Sequence, residues 1–338
     1  MARPGTRNSI TDVDGILVGN AEDAHARTGV TVILPDQPVV AAVDVRGGGP
    51  GTRETDALDP SCLVERIHAI CLSGGSVFGL EAPSGVVSWM SSKGRGLAFG
   101  PLALPVVPAA ILFDLMNGGD KGWGEIPPYR SLGWQACEAA APEFALGNAG
   151  AGLGATAGDL KGGLGSASAI TDDGIQVGAL AAANPMGSVV VPGSSAFWAW
   201  PFEQGDEFGG QTPPGPAGTN QELDLPGGGF PGGNTTLVVV ATNLAVDRAG
   251  ARRIATMAHD GIARAVRPVH TPFDGDTVFT LSTGTKQIPG GVEALPAALS
   301  RVGSLAADCA ARAIARGVFE AETLGDFPSY QSRFGSST

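Results

Sequence analysis

Two glycines followed by an unbroken apolar run, Gly232-Gly233-Asn234-Thr235-Thr236-Leu237-Val238-Val239-Val240, constrain this chain more than any other segment. An uncharged, β-branched run of this kind fits a strand buried on both faces, and the glycines before it make a hinge. Thr235 at the head of the strand is rigidly placed, because branching at Cβ restricts its side chain. Scission of the Asn234–Thr235 bond would give Thr235 a free α-amine beside its own hydroxyl, joining a nucleophile and a base in one residue. The sequence then encodes a precursor, with 234 residues upstream of the cut and 338 − 234 = 104 downstream. The bland alternative for Asn234-Thr235 is an ordinary turn into a strand. The expected scission is attack by the hydroxyl on the Asn234 carbonyl, giving an ester that water resolves. The liberated amine has an ordinary pKa of roughly 7.7 to 8.0, in the range where a general base works.

The rest of the chain alternates strands and helices. Val30 to Leu34 and Val39 to Val43 read as strands on either side of a turn at Pro35 to Pro38. From Pro60, the spacing of Leu63, Ile67, Ile70 and Cys71 predicts a helix, and after Gly74-Gly75-Ser76 a second apolar stretch runs from Val77 to Met90. Ala167 to Ala183 is strand-like. Trp198 to Gly233 is an acidic, turn-rich loop, Asp247 is placed to cap a helix that ends at Pro268, and Thr277 to Leu281 is a strand. A long amphipathic helix carrying Leu295, Leu299, Val302, Leu305 and Ile314 closes the chain. With no internal repeat, this order favours a layered α/β architecture, expected as one domain over 1–338 with the loop 201–234 ending the upstream piece.

Gly152 to Ala157 spells a nominal GxGxxA, but Lys161-Gly162-Gly163 follows it where a dinucleotide site needs a helix, so cofactor binding is not expected. A net charge of −12 disfavours nucleic acid, and no apolar run reaches the roughly 20 residues of a membrane span. Cys62, Cys71, Cys137 and Cys309 lie far apart in no metal-binding spacing, and read as free, buried thiols. A cytoplasmic protein without metal is the expectation.

Beyond Thr235, an acyl-transfer site needs donors for the developing oxyanion. Asn184, at the end of an apolar strand before Pro185, is one candidate, against a plain Asn-Pro turn. Lys161 stands out because no other Lys or Arg occurs from residue 162 to 247, a window with eight acids. Beside Thr235 its charge would favour the free amine, and the alternative is a solvated loop lysine. Asp274 and Asp276 flank Gly275 and lack the further ligands of a calcium loop. Their carboxylates are placed to orient the Thr235 amine and hydroxyl, or simply to cap a turn. His25, His68, His259 and His270 have no Ser or Cys partner in a recognisable motif and read as ordinary surface or core residues.

Five segments occur in an order that resembles the self-processing aminopeptidase family of DmpA type. They are Ile10 to Ile16, Arg46-Gly47-Gly48-Gly49-Pro50-Gly51-Thr52-Arg53-Glu54-Thr55-Asp56, Leu72 to Leu80, Lys161-Gly162-Gly163-Leu164-Gly165 and Asn234-Thr235-Thr236. That family includes D-aminopeptidases, β-peptidyl aminopeptidases and 6-aminohexanoate (nylon-6) oligomer endo-hydrolases. The resemblance implies an N-terminal-nucleophile hydrolase with a four-layer α-β-β-α sandwich. Autocleavage into two chains that stay associated is implied as well, with assembly into a homo-oligomer, a tetramer being favoured. It carries the nucleophile to Thr235 and the oxyanion-binding Asn to Asn184. Thr235 with Asp274-Gly275-Asp276 resembles the nylon-oligomer branch, whereas the upstream motifs match the aminopeptidases. One position departs: where that branch has its active-site lysine, this chain has Asp159, with Lys161 two residues on. The expected activity is hydrolysis of linear amides, peptide-like or 6-aminohexanoate oligomers. A β-peptidyl or D-aminopeptidase proper, an acyltransferase of ornithine acetyltransferase type and a non-catalytic binder of the same fold are the alternatives.

Overall fold

The apolar strand foreseen after the glycine hinge runs from Thr235 to Leu244 with every residue buried, in a computed structural model that describes residues 2–215, 233–288 and 290–335. It lies inside a six-stranded sheet. The order is Ala2–Arg3, Gly163–Thr171, Gln176–Asn184, Thr235–Leu244, Thr277–Lys286 and Val40–Val45. Alternate residues of the strand point to opposite faces. Leu237, Val239 and Ala241 meet Ile33, Leu72 and Ala110 of a second sheet, whereas Val238 and Val240 meet Ile254, Ile262 and Ile314 of a helical layer. Burial of each aliphatic side chain in Leu237–Val240 contributes about 1.5–3 kcal/mol, so the start of the strand, where Thr235 sits, is firmly held.

The second sheet has five strands in the order Ile16–Asp23, Thr28–Pro35, Ile70–Ser73, Ala109–Ile111 and Thr52–Arg53. Helices α1 (Ala82–Ser92) and α2 (Tyr129–Glu138) cover its outer face through Ala82, Val86, Met90, Leu132 and Ala136. Helices α3 (Arg248–Ala265) and α4 (Leu295–Phe319) cover the six-stranded sheet. The result is the expected α-β-β-α stack. The strands Thr28–Pro35 and Val40–Val45, neighbours in sequence, belong to different sheets, so the turn between them carries the chain from one layer to the other.

Asp247 caps α3 by accepting a hydrogen bond from Gly250 N at 2.7 Å, as its position predicts. The Lys-Gly-Gly-Leu-Gly segment owes its glycines to α4. A Cβ on Gly163 would come within 2.1 Å of the Gly317 carbonyl oxygen, and one on Gly165 within 2.0 Å of the Ala313 carbonyl oxygen. Helix and sheet backbones therefore approach more closely than any side chain permits.

Three expectations need correction. The helix foreseen from Pro60 does not form: Ile70–Ser73 is a strand between Thr28–Pro35 and Ala109–Ile111, and Leu63 is 95% exposed. A short apolar run buried on both faces looks alike in either conformation, and the earlier residues matched a helical period by coincidence. Ala167 to Ala183 is a hairpin rather than one strand, turning at Gly174, whose φ is +80°. Cys62 is half-buried, whereas Cys71, Cys137 and Cys309 are buried free thiols as expected. The acidic loop after Trp198 is anchored where Glu207 accepts bonds from the fully buried Arg312, at 2.5 Å from Nε and 2.9 Å from Nη2. Its part over 216–232 lies outside the described residues. No described helix is long and apolar enough to cross a membrane.

Candidate active site

Thr235 and Asn184 are cross-strand partners at the same end of the six-stranded sheet. Both side chains are 1% exposed. The Thr235 hydroxyl donates to the carbonyl oxygen of Asn234, the group it would attack in a self-cleavage. That oxygen also accepts a bond from the Gly275 backbone N–H at 2.9 Å. Asn234 is bridged to Asp274 in parallel fashion, so the turn Asp274-Gly275-Asp276 lies alongside the Asn234–Thr235 bond.

The two aspartates are both 1% exposed, and Asp276 bonds the backbone next to Thr235 whereas Asp274 bonds neighbouring turns. Asp276 accepts from Thr236 N at 2.7 Å through one oxygen; through the other it accepts from His270, at 3.1 Å from N and 2.7 Å from Nδ1. Asp274 accepts from Met186 N at 3.1 Å and from Thr271 N and Oγ1 at 2.9 and 2.5 Å. Burial raises the Asp274 pKa, and the neighbouring Asp276 carboxylate adds to the effect. Among the described residues the two carboxylates bond Thr236 N, Met186 N, Thr271 and His270, rather than the Thr235 hydroxyl as the sequence led one to expect.

Asn184 accepts from Thr156 N at 2.8 Å through Oδ1 and donates from Nδ2 to the Phe113 carbonyl at 3.2 Å. An amide nitrogen carries two hydrogens, and this bond uses one of them. The same two neighbours, Phe113 and Thr156, line a cleft of about 140 Å³ whose wall also contains Asp114, Asn117 and Gly233. Gly233 immediately precedes Asn234, so the cleft adjoins the Asn234–Thr235 bond.

Lys161 is 1% exposed and so is no loop lysine in solvent. Its Nζ donates to the carbonyls of Gly152 and Gly162 at 2.9 and 2.8 Å, and its strand position pairs it with Thr156. Burial lowers its pKa to about 7, and the Asp114 charge partly opposes the shift. Its hydrogen bonds go to the turn that holds Thr156, not to Thr235. Asp159, by contrast, is exposed and forms a surface ion pair with Arg333. The Gly152 to Ala157 segment is a short 3-10 turn over Gly150–Gly152 and a two-residue strand at Thr156–Ala157, with no helix after it.

Thr235, Asn184 and the Asp274-Gly275-Asp276 turn thus meet at one end of the six-stranded sheet, and the whole chain can be set beside known proteins. The family model described as Peptidase family S58 matches residues 8–330. The chain belongs to that peptidase family. Among S58-like relatives, an uncharacterized aminopeptidase of Mycobacterium tuberculosis is 44% identical over 344 aligned residues, covering 97% of this chain and 98% of the relative. A 6-aminohexanoate-oligomer endohydrolase of Paenarthrobacter ureafaciens is 30% identical over 296, covering 82% of this chain and 76% of that protein. In solved structures, a Burkholderia β-aminopeptidase superposes with a TM-score of 0.71 at 22% identity, covering 98% of this chain and 93% of its own. The L-aminopeptidase D-Ala-esterase/amidase of Ochrobactrum anthropi, described as a variant of the Ntn hydrolase fold, gives 0.69 at 22%, covering 95% and 88%. This S58 chain has the N-terminal-nucleophile hydrolase fold and is a hydrolase of amide bonds.

The S58 motifs have local structural reasons that the sequence did not reveal. Backbone N–H groups of the Arg46-Gly47-Gly48-Gly49 segment bond the carbonyls of Asp276, Thr271 and Asp274, the last at 2.8 Å from Gly49 N. A Cβ on Gly47 would come within 2.3 Å of both Asp274 O and Asp276 N. These glycines therefore form the bed of the aspartate turn. Gly74-Gly75 wraps Asp114 in the same way: Gly75 N donates to its Oδ1 at 2.8 Å, and Thr28 Oγ1 donates to Oδ2 at 2.6 Å. Asp114 and His270 were not singled out in the sequence. His270 has one clue, its place four residues before Asp274 in a Pro-containing turn, whereas nothing local marks Asp114.

Burial raises the Asp114 pKa to about 6, with the Thr28 hydrogen bond as the main opposing influence. A carboxyl whose folded pKa lies above its unfolded value is stabilising below the unfolded value of 3.8 and loses that contribution as pH rises toward 6. Asp114→Asn is expected to remove this loss, so the stability difference between variant and wild type should change by about 2 kcal/mol between pH 4 and 7. Parallel stability profiles for the two proteins would contradict the assignment.

Proposed function

We propose that this chain is an autoprocessed N-terminal-threonine amidohydrolase that cuts its own Asn234–Thr235 bond. It then uses Thr235 on linear amides bearing a free amino end, such as peptide-like substrates or 6-aminohexanoate oligomers. The observation that carries the reading is the Thr235 hydroxyl bonded to the Asn234 carbonyl. After the cut, the Thr235 amine takes the hydroxyl proton and Thr235 Oγ attacks the substrate carbonyl. The second hydrogen of Asn184 Nδ2 stabilises the oxyanion, and Asp276 steadies the strand through Thr236 N. Asp274 holds the facing turn, and Lys161 braces the strand that carries Thr156. The protonated amine returns the proton to the leaving nitrogen, and water resolves the acyl-threonine.

The preference for a free amine rests on Asp114, a carboxylate in the wall of the cleft beside Thr156 and Gly233. A cationic end group placed there finds a buried counter-charge. Relatives named as aminopeptidases and as a 6-aminohexanoate-oligomer endohydrolase are both compatible with a substrate of this kind. Hydrolysis of a short amino-terminal peptide amide and of a 6-aminohexanoate oligomer, each compared with its N-acetylated form, tests the preference. Acetylation is expected to lower kcat/KM by about 10- to 100-fold through loss of the charge-assisted contact, and Asp114→Asn to narrow the difference. Equal turnover of free and acetylated substrates would count against it.

A further inference from the structure

We infer that the backbone N–H of Gly275 is the oxyanion donor of the self-cleavage step, so that the Asp274-Gly275-Asp276 turn is catalytic in the precursor through its middle residue. The inference rests on the self-processing proposed above and adds to it the group that receives the charge. Two observations carry it.

The first is the bond from Gly275 N to Asn234 O at 2.9 Å. That oxygen becomes the oxyanion when Thr235 Oγ bonds to the Asn234 carbonyl carbon. The C–N bond to Thr235 then breaks, with the hydroxyl proton ending on the Thr235 nitrogen as the free amine. Water hydrolyses the resulting ester, giving the Asn234 carboxylate and restoring the Thr235 hydroxyl. An N–H already on the carbonyl oxygen, fixed before any charge develops, is the preorganised donor this step requires.

The second is the space around Gly275. A Cβ there would lie 2.6 Å from Thr235 Oγ1 and 3.0 Å from Gly49 O. The donor therefore sits against the nucleophile as well as the carbonyl, and only a residue without a side chain brings its N–H so close without displacing the hydroxyl. The turn is held from behind, because Gly49 N bonds Asp274 O at 2.8 Å and Gly47 closes on Asp274 and Asp276. Once Asn234 leaves, this N–H loses its partner. The mature enzyme relies on Asn184, on the neighbouring strand, so precursor and product use different donors.

The most direct test replaces the Gly275 amide by an ester, through incorporation of glycolic acid at that position, which deletes the N–H and adds no side chain. Processing is followed by denaturing mass spectrometry during incubation of purified chain. The ester chain is expected to process about 10²- to 10³-fold more slowly than wild type. Its thermal midpoint should match that of the uncleavable Thr235→Ala chain. Gly275→Ala provides a second arm that needs no unusual building block, and is expected to slow processing at least as much because the hydroxyl is displaced. A wild-type processing rate in the ester chain would overturn the role of the Gly275 N–H while leaving self-cleavage standing, and a wild-type rate in Gly275→Ala would overturn the crowding argument. A wild-type chain that turns over substrate without ever being cut would overturn both.

Discussion

Thr235→Ala is expected to leave a single chain of 338 residues and to lower amide hydrolysis by about 10⁴-fold or more. The substitution removes both the attacking oxygen and, by preventing the cut, the amine that would serve it, so neither half of the proposed chemistry survives. The fold should persist, because among the described residues the Thr235 hydroxyl bonds only Asn234 O, while Leu237 to Val240 supply the packing of the strand. Thr235→Ser keeps the oxygen and loses only the methyl group that restricts its rotamer. It is expected to process and to hydrolyse amides, more slowly than wild type. Mass spectrometry for the cut and initial rates for turnover check both variants. Hydrolysis by Thr235→Ala at a rate comparable with wild type would remove Thr235 from the mechanism.

The second large effect is expected at Asn184. Asn184→Ala deletes the acceptor for Thr156 N and the donor on Phe113 O together, and should lower kcat about 10²- to 10³-fold. Asn184→Asp separates the two functions. It keeps an acceptor for Thr156 N but loses the donor that would meet the substrate oxyanion, and adds a negative charge where negative charge develops. If the nitrogen is the working group, Asn184→Asp should lose at least as much kcat as Asn184→Ala with little change in melting temperature. Near-wild-type kcat in the aspartate variant would instead assign Asn184 a purely structural part, holding Thr156 in place.

The fold was largely legible because its central strand is a long uncharged β-branched run and its outer helices carry long apolar faces. The same logic failed at Ile70–Ser73, where four buried residues give too short a pattern to separate strand from helix, and neighbours such as the exposed Leu63 mimicked a helical face. Within the candidate site, Thr235, Asn184, Asp274 and Asp276 could be picked out as candidates because each stands at the end of a strand or in a turn next to one. Lys161 was legible as an isolated charge, but its burial and its carbonyl partners depend on β-strand pairing with Thr156 and on Pro328, far off in sequence. Asp114 was missed for the same reason, whereas His270 had its partner Asp276 close by in the same turn. Their roles come from Gly75, Thr28 and Asp276, and for Asp114 those partners lie 39 and 86 residues away. The glycine motifs were conspicuous as letters but silent as physics until the structure showed which carboxylates they enclose.

The central claim, that the working enzyme is a cut chain whose threonine acts through its own freed nitrogen, is met most directly by denaturing mass spectrometry of freshly purified protein whose turnover is measured on the same sample. The account predicts two pieces, of 234 and 338 − 234 = 104 residues, the smaller beginning at Thr235, with turnover rising in proportion to the fraction cut. A sample of intact chains that hydrolyses amides at full rate would contradict it.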